Sequence, residues 1–240
     1  MGGSPTDEEV FEESQSERIS SRLNRLRAGV MGANDGIVST AGMVVGVAGA
    51  AVSNSALLAA GVAALVAGAL SMAVGEYVSV SSQRDSQLAE LANERSQLQA
   101  DPAGELEQLT GLIQATGIDA DLAGSVAAQL TEKDALTAHA RLELGIDPDE
   151  LVSPWHAGLS SMITFVFGGL VPLLAMLLTP RSVAVPVTVL AVVIALAATG
   201  SVSAHLGGAD KLRAVARIVG GGLAAMAITY GIGLMVGTQL

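Results

Sequence analysis

Five apolar stretches, each long enough to cross a lipid bilayer, constrain this chain more than any other feature. About 20 mostly apolar residues span the hydrocarbon core of a bilayer. The stretches are residues 28–52, 56–80, 155–178, 183–206 and 212–236. We therefore predict an all-α integral membrane protein with five transmembrane helices.

The composition agrees with this prediction and excludes several classes of protein. Only 2% of the residues are aromatic, and 28 are glycine. Small residues of this kind let transmembrane helices approach closely. The net charge is −11, so a basic nucleic-acid surface is absent and nucleic acid is not an expected partner. The chain has no cysteine, which excludes disulfides and thiolate metal sites.

The polar segment between the second and third spans predicts a soluble insert. Residues 81–150 contain 14 Asp or Glu and 4 Lys or Arg. We predict a cytoplasmic three-helix domain here, inserted between spans two and three. The predicted divisions are an acidic disordered tail (1–17), spans one and two (18–82), the insert (83–153) and spans three to five (154–240).

Capping signals divide the insert into helices. Nothing breaks the helix pattern of span two before about Gln99, so that helix should continue into the insert. Asp101 followed by Pro102 predicts the start of a second helix, and Asp119 the start of a third that ends at Gly145. The predicted core face of the third helix is Leu122, Val126 and Leu130.

The distribution of Lys and Arg predicts the orientation. Basic residues are concentrated before span one, in the insert, and between spans four and five, where Lys211, Arg213 and Arg217 lie. Cytoplasmic segments carry this excess. The N-terminus and the insert should therefore be cytoplasmic, and the C-terminus outside.

The first span contains a carboxylate within Gly32-Ala33-Asn34-Asp35-Gly36. An ionisable residue at membrane depth is costly, and its default interpretation is a functional site. Asp35 follows Arg27 by eight residues, and Glu76 precedes Arg84 by eight. The two carboxylates should thus lie at similar depth, roughly 12 Å inside the cytoplasmic face, on antiparallel helices.

Two methionines share helix faces with these carboxylates, because Met72 is four residues from Glu76 and Met43 is eight from Asp35. Carboxylates suit hard ions such as Mn²⁺, whereas thioethers favour softer ones. We predict a divalent-cation pathway formed by Asn34, Asp35, Met43, Met72 and Glu76, with two carboxylates, an amide and one or two thioethers as candidate ligands. Its carboxylates could exchange metal for protons.

Simpler interpretations remain for each of these residues. Asn34 and Asp35 could cap a broken first span, and Glu76 could extend to the cytoplasmic surface. Methionines within a span could serve packing alone.

A second group of candidate ligands lies in the insert. Glu94 with Gln97, and Glu105 with Gln108, are each three residues apart, and Glu132, His139 and Glu143 follow on the third helix at intervals of seven and four. Folded together, these faces predict an oxygen-rich metal cluster with one imidazole. The alternative is an ordinary solvated charged surface. The predicted insert ligands are Glu94, Gln97, Glu105, Gln108, His139 and Glu143.

No sequence motif indicates an enzyme or a resident cofactor. The chain lacks a Walker motif, a Gly-x-Ser-x-Gly and a His-Glu-x-x-His. Any transport should therefore be driven by an ion gradient.

Residues 32–40 (GANDGIVST) and 67–79 (AGALSMAVGEYVS) together resemble the vacuolar iron transporter family, which includes the nodulin-21-like proteins. Glu143-Leu144-Gly145 and residues 229–233 add to the resemblance, which extends from about Arg22 to the C-terminus. It implies a homodimer of five-span subunits that exchanges Fe²⁺, and often Mn²⁺, for protons and moves metal out of the cytosol.

The resemblance also implies roles for particular residues. Asp35 matches the aspartate of the family's first span and Met72 the methionine of its second. Glu94, Glu105 and Glu143 match glutamates of the family's cytoplasmic metal-binding domain.

The chain departs from the family pattern at several of these positions. Gln97 and Gln108 stand where other members have glutamate, and His139 stands where methionine is common. Ala64 stands about where eukaryotic vacuolar members carry a glutamate, while Glu76 is present instead. Fewer charges should weaken the loading of Fe²⁺ and could alter the metal preference.

We predict a proton-coupled Fe²⁺/Mn²⁺ exporter, acting as a homodimer in a prokaryotic plasma membrane. One alternative is a membrane-anchored metal sensor or scaffold that binds ions without moving them. Another is a transporter of organic cations, against which the scarcity of aromatic residues argues.

Overall fold

A computed structural model describes residues 29–50 and 53–238 of the chain. The predicted acidic tail and the basic residues before the first span lie outside this part. All regular structure within the described residues is helical. The helices are α1 (Gly29–Gly49), α2 (Asn54–Ala100), α3 (Pro102–Ala115), α4 (Ala120–His139), a π-helix (Ala140–Leu144), α5 (Pro154–Leu178), α6 (Ala184–Leu206) and α7 (Lys211–Gly237).

Five of the described helices, α1, α2, α5, α6 and α7, are long and apolar enough to cross a membrane. They coincide with the five predicted spans, and α2 continues beyond its apolar part as predicted. The described residues form two compact units. One, the membrane unit, comprises residues up to Val78 and from Pro154 onward; the other, the insert, comprises Ser79–Ser153.

Glycines bring α1 and α5 into direct backbone contact in the membrane unit. A Cβ atom at Gly32 would lie 2.6 Å from the carbonyl oxygen of Ser161. One at Gly36 would overlap the carbonyl of Phe165, and one at Gly168 would overlap that of Ala33. Real Cβ atoms do not approach so closely, so this interface accepts only glycine at these positions. The two helices therefore have one well-defined rotation relative to each other.

We expect Gly36→Ala to destabilise the membrane unit. The added methyl group would lie 2.8 Å from the carbonyl carbon of Phe165, so α1 must move away from α5. Overpacking of this kind costs about 1–3 kcal/mol. Thermal unfolding in detergent measures the effect. Gly220→Ala on α7 is the matched control: no atom lies within 4 Å of its Cβ position, so it should leave the unfolding temperature unchanged or slightly raised.

Both predicted capping residues of the insert are confirmed. An Asp101 carboxylate oxygen accepts a hydrogen bond from the backbone N–H of Gly104, with Pro102 in the first helical turn. Asp119 likewise accepts from the N–H of Asp121 at the start of α4. These caps fix where α3 and α4 begin.

The predicted core face of α4 is correct for Val126 and Leu130, which pack against the α3–α4 core, and wrong for Leu122. Leu122 is 58% exposed, whereas Ala123 and Ala127 are fully buried and pack on Leu109 and Ile113 of α3. Alanine lets α3 and α4 approach closely. The larger residues Val126 and Leu130 pack only at the margin of this core.

Helix α4 is also interrupted, which the sequence pattern did not reveal. Asp134 has φ −166° and ψ 94°, an extended conformation within the helix. Its carboxylate accepts hydrogen bonds from the backbone N–H of Thr137 (3.1 Å) and from the Thr137 hydroxyl (2.8 Å). Asp134 is thus the N-cap of a second helical segment that carries His139 and Glu143. Glu132 precedes the interruption and is exposed, so it does not share their face.

We expect Asp134→Ala to destabilise the insert by about 1 kcal/mol, the usual effect of removing an N-cap. The hydrogen bonds from Thr137 hold the pKa of Asp134 below its ordinary value. Its contribution is therefore complete above the unfolded pKa of about 3.9 and is lost as the pH falls through the lower folded value. Thermal unfolding at neutral and acidic pH measures the difference from the parent. Asp134→Asn retains a capping oxygen and should remove the pH dependence while retaining most of the stability.

Candidate metal sites

An open groove between α1 and α2 is the candidate site of the membrane unit. Its volume is about 460 Å³. The α1 side presents four residues at four-residue intervals, which place them on one helix face. The residues lining the groove are Met31, Asp35, Ser39 and Met43 of α1, Ala64, Gly68, Ser71, Met72, Gly75 and Glu76 of α2, and Phe165 of α5. We call it the α1–α2 groove.

The glycines around Asp35 explain why its side chain faces this groove. Gly32 and Gly36 are one turn apart and both contact the α5 backbone. Asp35 lies on a different face of α1 from these two glycines, and that face lines the groove. The Gly-x-x-Asp-Gly spacing therefore combines a close helix contact with a carboxylate directed away from it.

The structure brings together four of the five residues predicted for the pathway: Asp35, Met43, Met72 and Glu76. Asn34 is not among the lining residues. Its side-chain oxygen is buried, and no described residue donates a hydrogen bond to it. Helix α1 runs without a break through Asn34 and Asp35, so the alternative that these residues cap a broken span is wrong.

A second candidate site lies within the insert. Glu94, Glu105, His139 and Glu143 each place one ligand atom within 4.8 Å of those of the others. We call this group the carboxylate–histidine cluster. Glu94 comes from α2, Glu105 from the first turn of α3, His139 from the end of α4 and Glu143 from the π-helix. Three helical segments thus converge on one point, because His139 and Glu143 lie on the same continuous segment after Asp134.

The cluster is organised around His139 Nδ1. This atom lies 3.0 Å from Glu94 Oε1, 3.3 Å from Glu143 Oε2 and 3.6 Å from Glu105 Oε2. His139 is fully buried, Glu94 is 2% exposed and Glu105 9% exposed. Glu143 lies at the surface side of the group. Burying this much negative charge is unfavourable unless a cation balances it.

One imidazole cannot satisfy three carboxylates. A protonated Nδ1 carries a single hydrogen, and only its contact with Glu143 has hydrogen-bond geometry. Glu94 Oε1, Glu105 Oε2 and His139 Nε2 are buried without a hydrogen-bond partner in the described residues. The two unsatisfied carboxylate oxygens converge on His139 Nδ1, and unsatisfied buried acceptors that converge in this way are the arrangement expected of a cation site.

The electrostatics agree with this interpretation. Burial raises the pKa of Glu94, and the nearby carboxylate of Glu143 raises it further. His139 opposes these effects only in part. The metal-free cluster therefore carries an uncompensated repulsion among its carboxylates.

The two glutamines predicted as ligands differ from the cluster members in exposure. Gln97 and Gln108 both have exposed side chains. Gln97 accepts a long hydrogen bond from Asn93, at 3.5 Å. Each glutamine follows a buried glutamate by three residues. That step of about 300° around the helix leaves its side chain about 60° away from the glutamate, here at the surface. Their role as ligands stays a prediction.

The π-helix was not predicted from the sequence. It follows His139 directly, carries Glu143 and ends at Gly145, whose φ of 64° is left-handed. Single π turns occur frequently at functional sites because they change the direction of side chains within a helix. The Asp134-x-x-Thr137 capping pattern was the available signal for the segment that includes this turn.

The helices, the apolar spans and the two polar sites define an integral membrane protein with features of an ion-handling protein. The VIT family model matches residues 26–234, and the chain belongs to this family. This confirms the resemblance recognised in the sequence, and the relatives are named as transporters rather than enzymes.

Relatives match over most of their length. A protein named vacuolar iron transporter from Acanthamoeba castellanii (strain ATCC 30010 / Neff) is 47% identical over 211 residues, which cover 88% of this chain and 78% of the relative. Vacuolar iron transporter homolog 2 of Arabidopsis thaliana is 33% identical over 99% of this chain and 97% of its own length. Vacuolar iron transporter homolog 5 of Oryza sativa subsp. japonica is 36% identical over 89% of this chain and 81% of its own length.

Proposed function

We propose that this protein is a proton-coupled transporter of divalent metal, Fe²⁺ or Mn²⁺, that exports the ion from the cytosol. The observation that carries the proposal is the α1–α2 groove, which combines two carboxylates and three thioethers in a chain whose relatives are named iron transporters. An apolar span retains a carboxylate only where it has a partner or a function.

The groove residues suit this chemistry. The Asp35 and Glu76 carboxylates can each bind a divalent ion or a proton, so the two cargoes compete for the same oxygens. The thioethers of Met43 and Met72 add weaker, softer ligands that favour Fe²⁺ over Mg²⁺. Weak ligands also permit release, which transport requires.

A homodimer would complete the groove. Asp35 and Ser39 are exposed in the single chain, and Met31 and Met43 are 55% and 44% exposed. Polar groups inside a bilayer are normally covered by protein or water. A second copy facing α1 would supply that cover. We further propose that the insert is cytoplasmic and that its cluster binds ions before they enter the groove.

We propose that the membrane is a prokaryotic plasma membrane. The short insert and the Ala, Gly and Val content favour a prokaryotic plasma membrane. The relatives named above are eukaryotic and are named for the vacuole.

Transport by the purified protein in proteoliposomes tests this proposal. With a pH gradient imposed, an enclosed metal indicator should report entry of Fe²⁺ or Mn²⁺, and an enclosed pH dye should report protons moving the opposite way. Metal entry that is independent of the pH gradient would contradict the proton coupling. The absence of metal movement would contradict transport.

A metal sensor or scaffold is the second candidate, because the carboxylate–histidine cluster lies entirely within the insert. A sensor requires this cluster and no pathway. It therefore predicts metal binding by the full-length protein without transport, and no loss of function when Asp35 is neutralised.

A further inference from the structure

We infer that His139 makes the insert site selective for first-row transition-metal ions such as Fe²⁺ and Zn²⁺ over Mg²⁺ and Ca²⁺. The inference rests on the proposed function, since it assumes that the carboxylate–histidine cluster binds the cargo. It assigns the discrimination between metals to one residue.

The spacing of the donor atoms fits one ion with an imidazole ligand. Ligand atoms about 2.1 Å from a common ion lie roughly 3.0–3.4 Å apart in octahedral or tetrahedral geometry. The three distances from His139 Nδ1 to the carboxylate oxygens are 3.0, 3.3 and 3.6 Å. Two of these distances fall within that range and the third is slightly longer, so Nδ1 can form one vertex of a coordination polyhedron whose other vertices are oxygens of Glu94, Glu105 and Glu143.

The burial of His139 argues against a purely structural role. A packing position at the end of α4 would be served by an apolar side chain, such as the neighbouring Ala138 and Ala140. Instead, a fully buried imidazole is directed at three carboxylates, and its Nε2 has no hydrogen-bond partner in the described residues. Three carboxylate oxygens lie around Nδ1 and only the Glu143 contact has hydrogen-bond geometry, an arrangement that ligation of a cation by Nδ1 and the carboxylates explains.

Ligand chemistry then gives the direction of the selectivity. Carboxylates alone suit Mg²⁺, Ca²⁺ and Mn²⁺, whereas imidazole suits Zn²⁺, Fe²⁺, Cu²⁺ and Ni²⁺. Magnesium prefers to keep several waters, and calcium takes six to eight oxygens. A buried site with three carboxylates and one nitrogen offers neither ion its preferred surroundings. Mn²⁺ should bind with intermediate preference.

The matched pair His139→Asn and Glu105→Gln tests this inference. The amide oxygen of asparagine can replace Nδ1 at nearly the same position, so His139→Asn exchanges a nitrogen ligand for an oxygen. Its affinity for Fe²⁺ relative to Mg²⁺ should fall at least about tenfold, by analogy with lesser changes around metal sites. Glu105→Gln removes a charge instead, so affinities for both ions should fall together and their ratio should change little.

Calorimetry on the full-length protein in detergent, under anaerobic conditions, measures both affinities. A variant with Glu94, Glu105 and Glu143 all changed to glutamine gives the binding that belongs to the groove, which is subtracted. Thermal unfolding without metal shows whether each variant is folded. If His139→Asn proves unstable, His139→Gln provides the same exchange with a longer side chain.

Pulsed electron paramagnetic resonance of bound Mn²⁺ provides a direct readout. The parent should show coupling to a directly bound ¹⁴N nucleus, and His139→Asn should lose it. An unchanged Fe²⁺-to-Mg²⁺ ratio in a folded variant, or the absence of nitrogen coupling in the parent, would overturn the inference. Failure of transport with these results intact would instead refute the proposed function and leave the selectivity standing.

Discussion

Replacing Asp35 by asparagine should reduce the rate of metal transport by about 100-fold, as expected when an ion in an apolar groove loses a charged ligand. Asp35 is the α1 carboxylate of the α1–α2 groove, and asparagine has nearly the same shape. The variant should therefore fold normally. Indicator signals from proteoliposomes, divided by the amount of protein incorporated, measure the rate.

Two further variants separate charge from structure. Asp35→Glu retains the charge on a longer side chain and should preserve part of the activity. Asp85→Asn makes the same chemical change at an exposed position of α2 and should transport at the parental rate. If Asp35→Asn transports as fast as Asp85→Asn, the groove is not the pathway.

The result also distinguishes transporter from sensor. Loss of transport in Asp35→Asn, with metal binding by the insert unchanged, assigns the movement of ions to the groove. Metal binding by a parent protein that moves no metal would support the sensor.

The parts of the fold that were predictable depend on local signals. Five apolar stretches specify spans because a bilayer accepts little else, and α1, α2, α5, α6 and α7 follow them. Asp101-Pro102 and Asp119 mark helix starts because their side chains satisfy backbone N–H groups within a few residues. Such signals require no knowledge of tertiary packing.

The features that were missed depend on packing between segments. Aspartate is common on solvated helix faces, so the Asp134-x-x-Thr137 spacing was the one local signal of the interruption, and it is weak in the middle of a helical pattern. The buried alanines of α4 form its core face only because α3 approaches closely, and periodicity favoured the larger Leu122.

The same distinction between local signals and packing applies to the candidate sites. Asp35 and Glu76 were assigned to one groove by counting residues from basic flanks on two antiparallel helices. Residue spacing selected Glu94, Glu105, His139 and Glu143, and the family resemblance then matched the three glutamates. Neither the spacing nor the resemblance could show that His139 Nδ1 would lie 3.0–3.6 Å from all three carboxylates. The interruption at Asp134 and the π-helix set these distances.

This geometry predicts that the cluster opposes the stability of the metal-free insert. Burial and the Glu143 carboxylate raise the pKa of Glu94. The folded state therefore holds a proton on Glu94 at pH values where the unfolded chain has lost it. Stability without metal should fall as the pH rises above the unfolded pKa of about 4.3, and the full cost is present once the pH exceeds the folded value. Bound metal should restore the stability that the metal-free insert loses.

The effect of Glu94→Gln on the stability of the insert should consequently change sign when metal is added. Without metal, the variant should be more stable than the parent by about 1 kcal/mol, because one of the converging charges is gone. At a metal concentration of about 100 times Kd, the parent should gain about 2.7 kcal/mol and become the more stable protein.

Hydrogen exchange of residues 79–153 in the full-length protein, with chelator or with Mn²⁺, measures the stability of the insert without and with metal. Glu90→Gln changes an exposed side chain one turn earlier on α2 and should alter neither the metal-free stability nor the stabilisation by metal. Equal stabilisation of Glu94→Gln and parent by metal would show that the ion binds elsewhere.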